Sequence, residues 1–254
     1  MQAVIFAGGY GTRISEETMY RPKPMVEIGG KPILWHILKI YSLHGIHDFV
    51  ILSGYKSEYI KNYFTQYIYN QNDITVDLSA NSVEIHSKIT DPWKITILDT
   101  GEDTMTGGRL KRAANFLEDQ FCLTYGDAVA DIDISAKIAF HAQNEGLVTL
   151  TAVQPQARYG ALTISGSQVT SFREKPSSEE NFINGGFFVC DKGVLDYIDG
   201  NETILERGPL ENMASDGQLF CYHHAGFWAA MDNVRDKQHL ESLWSSGNAP
   251  WKKW

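Results

Sequence analysis

Apolar and polar positions along the chain alternate between short runs and helical stripes. Val4, Ile5 and Phe6 form an apolar run that predicts a buried strand, and it empties into Ala7, Gly8, Gly9 and Gly11. Pro32 opens a helix on which Leu34, Ile37, Leu38 and Tyr41 recur at helical spacing, and Gly45 ends it. Residues 48–54 read as a buried strand and residues 56–64 as a helix with Tyr59, Ile60 and Tyr63 on one side. That order predicts a doubly wound sheet, in which ligands lie off the carboxyl ends of the strands. Residues 74–79, 83–87 and 94–99 alternate as an antiparallel side ribbon would. A helix over 106–117 precedes a buried strand at 121–125, which delivers Gly126 and Asp127 to its carboxyl end. A helix carrying Ile134, Ile138 and His141 leads into a strand at 147–153, and residues 161–165 and 168–174 flank Gly166 and Ser167 as a hairpin. Strands at 182–190 and 222–231, a short helix between Pro209 and Gly217, and a last helix at 233–246 complete the pattern. The expected fold is α/β: a Rossmann-like, doubly wound, mixed and mostly parallel sheet with small antiparallel β additions.

Composition narrows the class. A chain of 254 residues buries roughly three quarters of its unfolded surface, so one domain spanning 1–254 has a sufficient core without disulfide or metal staples. The net charge of −9 argues against nucleic acid as a partner. Residues 1–31 run against it, with Arg13, Arg21, Lys23 and Lys31 facing Glu16, Glu17 and Glu27, which predicts a locally positive site. Cys122, Cys190 and Cys221 have no CxxC spacing and read as reduced, buried thiols. No signal-peptide pattern precedes the first strand and no apolar stretch approaches the ~20 residues of a membrane span, so the expectation is a cytoplasmic protein with no membrane partner.

The candidate chemistry centres on residues 2–13. A strand that ends in glycines and then Thr12, Arg13, Arg21 and Lys23 offers backbone N–H groups, a hydroxyl and fixed cations to one ligand, which suits a polyphosphate. A dinucleotide fingerprint starting at Gly9 would need glycine where Ile14 stands, and no GxxxxGK[ST] run occurs. A nucleoside triphosphate site is therefore the reading, against a solvated surface pair for Arg13 and Lys23. Asp127 and Asp232 both follow apolar runs and suit Mg²⁺ at one sheet edge. Taken alone, Asp127 serves equally as a strand-end cap, and Asp232, beside Asn233, reads more readily as a cap for the last helix.

The runs AGGYGTR (7–13) and RPKPMVEIGGKPILWHI (21–37), with DTGEDTMTGGRLKR (99–112), TYGDAVADID (124–133), FREKP (172–176), INGGFFV (183–189) and GFWAAMDNVRDK (226–237), resemble the sugar-phosphate nucleotidyltransferases, specifically the glucose-1-phosphate cytidylyltransferase branch. The resemblance implies transfer of a cytidylyl group from CTP to α-D-glucose 1-phosphate, with Mg²⁺ held by Asp127 and Asp232 and Arg13 and Lys23 as the catalytic cations. It gives Phe6, Ala7, Gly8, Gly9, Gly11, Thr12, Thr104, Gly108, Arg109 and Asp127 to the nucleotide. Tyr125, Glu174, Lys175, Asn184 and Gly185 go to the sugar phosphate, although Tyr125 alone reads as core and 173–176 as an exposed strand end. It also implies a nucleotide-binding part over about 1–130, a sugar-phosphate-binding part over about 131–254, and a homo-oligomer. Ala128, Ala229 and Ala230 depart from the family's usual residues beside the two aspartates. The same chemistry on UTP, dTTP or another sugar, and a non-catalytic nucleotide-sugar sensor, are the rival readings.

Overall fold

Strand Gln2–Ala7 sends Ala3, Ile5 and Ala7 to one apolar core and Val4 and Phe6 to another. Burial on both faces is why its sequence is a continuous apolar run rather than an alternation. Asp48–Ser53 behaves the same way, with Phe49 and Ile51 on the first side and Val50 and Leu52 on the second. The computed structural model describes residues 1–87, 90–154, 161–165, 167–173 and 182–254. Among them the central sheet has eight strands, in the order Ile183–Asn184, Val148–Val153, Phe188–Asp191, Gln120–Tyr125, Gln2–Ala7, Asp48–Ser53 and Lys94–Asp99, with Leu219–His224 beside Val148–Val153. Phe188–Asp191 runs antiparallel to both its neighbours, Ile183–Asn184 is antiparallel to Val148–Val153, and the other pairs are parallel. The expected mixed, mostly parallel sheet is present, with small antiparallel pairs outside it.

Helix Ile33–Ser42 covers the first face with Ile33, Leu34, Ile37, Leu38, Ile40 and Tyr41, joined by Leu240 of the last helix and by Trp251. Leu110 of Thr106–Arg112, Leu195, Ile198 and Met213 of Pro209–Ser215 cover the second.

Four segments differ from the sequence expectation. Residues 94–99 join the central sheet, parallel to Asp48–Ser53, while the side ribbon is the pair Ile74–Asp77 and Ser82–Ile85; an edge strand and a free ribbon share a two-residue period, so alternation cannot separate them. The strand expected over 182–190 is broken by left-handed Gly186 (φ 73°) and Phe187 (φ 46°) into Ile183–Asn184 and Phe188–Asp191. The run 222–231 divides between Leu219–His224 and Trp228–Ala230. The helix from Thr106 ends at Arg112 and tightens to a 3₁₀ turn over Ala114–Phe116. Cys122 and Cys190 are buried as expected, but Cys221 is exposed, on the same face of Leu219–His224 as exposed His223. No described helix is long and apolar enough to cross a membrane.

The C-terminal residues close the first core around His36. Its Nε2 lies 2.9 Å from the Ile28 carbonyl oxygen, and the Trp251 indole N–H donates to Nδ1 at 3.3 Å. Trp244 meets the ring edge-on. One nitrogen donates and the other accepts, so the ring is neutral, and burial pushes its pKa down to about 4 despite the Ile28 carbonyl. Above about pH 6.5 this costs nothing. As pH falls from about 6.5 toward about 4 the unfolded chain binds a proton that the folded chain refuses, so stability drops by up to about 3 kcal/mol. Denaturant titrations from pH 7.5 to 4.5 are expected to show the wild type losing this increment and His36→Gln not; parallel losses would remove His36 as the cause.

Candidate functional site

Phe6 and Tyr125 are register partners on parallel strands, so the glycine loop after Ala7 and the Gly126–Asp127 turn leave the sheet at one edge. They border a cavity of about 680 Å³, within the usual range for a small-molecule site. The loop needs glycine at two positions: a Cβ on Gly8 would lie 2.2 Å from Arg109 Nη1, and Gly11 turns the chain at φ 64° into the 3₁₀ turn Thr12–Ile14. The Gly11 carbonyl accepts hydrogen bonds from the Ile14 N–H at 3.1 Å and the Thr18 hydroxyl at 3.1 Å, so the turn is closed from within.

The two aspartates are brought together by a short antiparallel ladder. Ala128–Ala130 pairs with Trp228–Ala230, register Ala230 to Ala128, and the Met231 N–H donates to the Asp127 carbonyl at 2.8 Å. Asp127 enters one strand of this ladder and Asp232 leaves the other. The cap of the last helix is Asn233, whose side chain accepts from the Asp236 N–H, so the Asp232 side chain points elsewhere. It points at Lys23. The Lys23 ammonium donates to Asp127 Oδ2 at 2.6 Å and to Asp232 Oδ1 at 2.9 Å, and Arg13 Nη1 is 3.2 Å from the same Asp232 oxygen. Burial alone would depress Lys23, but Asp127 and then Asp232 outweigh it and hold its pKa above the ordinary lysine value.

Arg109 reaches the cavity floor with its donors committed to the loops. Nη1 donates to the Ser53 carbonyl at 3.2 Å, the Thr100 hydroxyl at 2.7 Å and the Gly101 carbonyl at 2.6 Å; Nη2 donates to the carbonyls of Gly8 at 3.0 Å and Glu102 at 2.9 Å. Its side chain has no ion-pair partner among the described residues. Burial, with Arg112 nearby, lowers its pKa, yet arginine stays charged. A buried guanidinium thus ties the glycine loop to the ends of two neighbouring strands.

On the far side of Tyr125 the broken strand forms a second wall. The Asn184 amide donates to the Tyr125 hydroxyl at 3.2 Å and accepts from the Gly186 N–H at 2.9 Å, and the Trp228 indole donates to the Gly185 carbonyl at 2.8 Å. Beneath the bend, Lys137 donates to the Thr151 hydroxyl at 2.6 Å and to the Phe187 carbonyl, and burial pushes its pKa down to about 7. The left-handed backbone at Phe187 is held from below by that lysine.

Most residues assigned from sequence meet at this cavity: Phe6, Ala7, Gly8, Gly9, Gly11, Thr12, Arg13, Lys23, Thr104, Arg109, Tyr125, Asp127 and Asp232 all line it. Gly108 does not; its Cα faces the Asn201 backbone, where a Cβ would sit 2.4 Å from the carbonyl oxygen. Asn184 and Gly185 stand behind Tyr125, and Glu174 and Lys175 lie outside the described residues. Tyr10, Glu102, Asp103 and Glu202 line the cavity without having been singled out. Tyr10 carries a usable signal, since it sits inside the glycine run. The expected local positive charge is reversed in space. Glu102, Asp103, Asp127, Glu202 and Asp232 bring five carboxylates against Arg13, Lys23 and Arg109, because folding imports acids from distant segments. No group of three or more His, Cys, Asp or Glu converges as a metal cage among the described residues. Two carboxylates sharing one cation nevertheless form a hard oxygen donor pair that fits Mg²⁺ completed by phosphate oxygens and water.

A glycine loop at the carboxyl edge of a mixed sheet, faced by cations and paired carboxylates, defines a nucleotidyl transferase, and the nucleotidyl transferase family model matches residues 2–222. A glucose-1-phosphate cytidylyltransferase from Salmonella typhi is 54% identical over 256 residues, covering 100% of both chains. The chain belongs to the glucose-1-phosphate cytidylyltransferase branch of that family. Among solved structures, HddC from Yersinia pseudotuberculosis matches with a TM-score of 0.69 at 23% identity, over 96% of this chain and 99% of that one. Apo UDP-glucose pyrophosphorylase matches at 0.69 and 14% identity, over 97% and 99%. At those identities the two share the fold.

Replacing Arg109 by lysine leaves one ammonium where a planar fork met five oxygens, so several buried carbonyls lose their donors. Arg109→Lys is expected to lower unfolding free energy by about 2–4 kcal/mol in denaturant titration and to raise KM for the nucleotide. Wild-type stability in this variant would contradict the clamp.

Proposed function

We propose that the chain transfers a cytidylyl group from CTP to α-D-glucose 1-phosphate, giving CDP-glucose and pyrophosphate, with Mg²⁺ as its cofactor. The observation that carries the reading is the convergence of Asp127 and Asp232 on a single cation beside the glycine loop. The full-length identity to the Salmonella protein supports the choice of CTP and glucose 1-phosphate.

A sugar-phosphate oxygen attacks the α-phosphorus, the bond from that phosphorus to the bridging oxygen breaks, and pyrophosphate leaves with the electron pair. The nucleophile is already ionised, so the site needs no general base or covalent serine; alignment and charge neutralisation do the work. Two unit charges about 4 Å apart repel by about 4 kcal/mol at an effective dielectric near 20, and several such pairs must be brought together. Arg13 and Lys23 alone cannot offset them while bound to Asp127 and Asp232. Asp127 and Asp232 would hold Mg²⁺, which would supply positive charge against the phosphate oxygens. Lys23 and Arg13 are the cations that would meet the α- and β-phosphates. The glycine loop with Thr12 receives the triphosphate, Thr104 stands on the base side, and Tyr125 and Asn184, with Glu174 and Lys175, receive the sugar phosphate. Cytosine presents an N4 amino donor, so carbonyls on the base side distinguish it from uracil.

Pyrophosphate release over a grid of CTP, UTP, dTTP, ATP and GTP against several sugar 1-phosphates tests the substrates. CTP with glucose 1-phosphate is expected to give the highest kcat/KM, and absence of a CTP preference would overturn the choice of base. Asp232→Asn is expected to lower kcat by about 10²-fold or more while changing unfolding free energy by about 1 kcal/mol or less. Normal turnover in that variant would remove Asp232 from the chemistry.

A further inference from the structure

We propose that Glu206 is a positioning residue that fixes the Tyr125 hydroxyl as a hydrogen-bond acceptor toward the cavity, so that the sugar 1-phosphate is selected by a hydroxyl that donates to Tyr125. The inference rests on the sugar-side reading given above.

Each polar atom in the cluster has one consistent assignment. The Asn184 carbonyl oxygen accepts from the Gly186 N–H, so its Nδ2 faces Tyr125 and donates to the phenolic oxygen at 3.2 Å. The Tyr125 hydroxyl therefore cannot give its proton to Asn184, and it gives it to Glu206 Oε1 at 2.6 Å. The Thr106 hydroxyl accepts from the Leu205 N–H at 2.9 Å and spends its own proton on Glu206 Oε2 at 2.7 Å. Both Glu206 oxygens accept, which is the pattern of a carboxylate. The ring cannot turn away from this arrangement, because it stacks on Phe6 at 5.9 Å and meets Phe188 edge-on at 5.8 Å. Tyr125 lines the cavity whereas Glu206 stands behind it, in contact with Tyr125 and Thr106. With its proton committed to Glu206, the phenol can meet a ligand only through a lone pair. A buried acceptor left without a donor is penalised more heavily than a matched pair is rewarded, so this polarity discriminates among sugars.

The test uses glucose 1-phosphates carrying fluorine in place of one hydroxyl at C2, C3, C4 or C6, since fluorine is small enough to fit and cannot donate. In the wild type, one position is expected to lose about tenfold or more in kcat/KM. Glu206→Met keeps side-chain volume but removes the acceptor, freeing Tyr125 to donate. It is expected to shrink the hydroxyl-to-fluorine ratio at that position to about threefold or less and to raise KM for glucose 1-phosphate while leaving KM for CTP unchanged. Glu206→Gln retains an oxygen for Tyr125 and an N–H for the Thr106 hydroxyl and is expected to restore the ratio. Inductive effects of fluorine are common to all variants and cancel in the comparison. Tyr125→Phe leaves the loop of Glu206 untouched and is expected to abolish the ratio; its survival there would overturn the proposal even if Glu206→Met did not fold. An unchanged ratio in Glu206→Met, or a uniform loss of kcat for every substrate, would also overturn it. Failure of the wild type to use glucose 1-phosphate with CTP would instead sink the function proposed above.

Discussion

A single ammonium group, that of Lys23, lies between carboxylates 104 and 209 residues away in sequence. Three parts of the fold are needed to place it: the extended Pro22 and the turn Lys23–Met25, the strand that delivers Asp127, and the return strand that delivers Asp232. Removing the ammonium would leave two carboxylates facing each other in a half-buried cleft, which costs more than an exposed pair is worth, whereas losing one carboxylate leaves Lys23 the other. The short ladder between Ala128–Ala130 and Trp228–Ala230 is the mechanical link. The alanines at 128, 229 and 230 lie on it, and Ala128 and Ala230 face each other as register partners.

The same arrangement explains why the cavity holds more carboxylates than cations and still suits a polyphosphate. Lys23 and Arg13 are tied to Asp127 and Asp232, so much of their charge is spent within the protein. A buried Arg109 keeps its positive charge below the glycine loop, held by carbonyl oxygens and the Thr100 hydroxyl rather than by a carboxylate, so that part of the floor is positive.

Much of this was legible in the sequence, and the limits have physical causes. The glycine loop was readable because tight turns and close approaches admit few residue types, and the place of Asp127 was readable because a strand-end position fixes where a side chain emerges, while its choice between cap and metal ligand required the resemblance. Asp232 required the resemblance, since an aspartate beside Asn233 also suits a helix cap; only the coordinates assign the cap to Asn233. Arg109, expected at the nucleotide, lines the cavity, and its donors go to four backbone carbonyls and the Thr100 hydroxyl, a bracing role that composition and spacing could not show. Glu206 carried no local signal at all. Its importance comes from contacts with Tyr125 and Thr106, about 80 and 100 residues away. The strand break at Gly186 and Phe187 was hidden because Phe187 reads as a strand residue, while its left-handed backbone, with the carbonyl bonded by Lys137, is visible only in the fold.

Crystals grown with a non-hydrolysable CTP analogue and Mn²⁺, with data collected at the manganese absorption edge, examine the pairing most directly. The expected result is an anomalous peak touching the carboxyl oxygens of both Asp127 and Asp232, with the Lys23 ammonium moved onto a phosphate oxygen. A peak remote from either aspartate, with Lys23 still bridging the two in the presence of the bound analogue, would contradict the account.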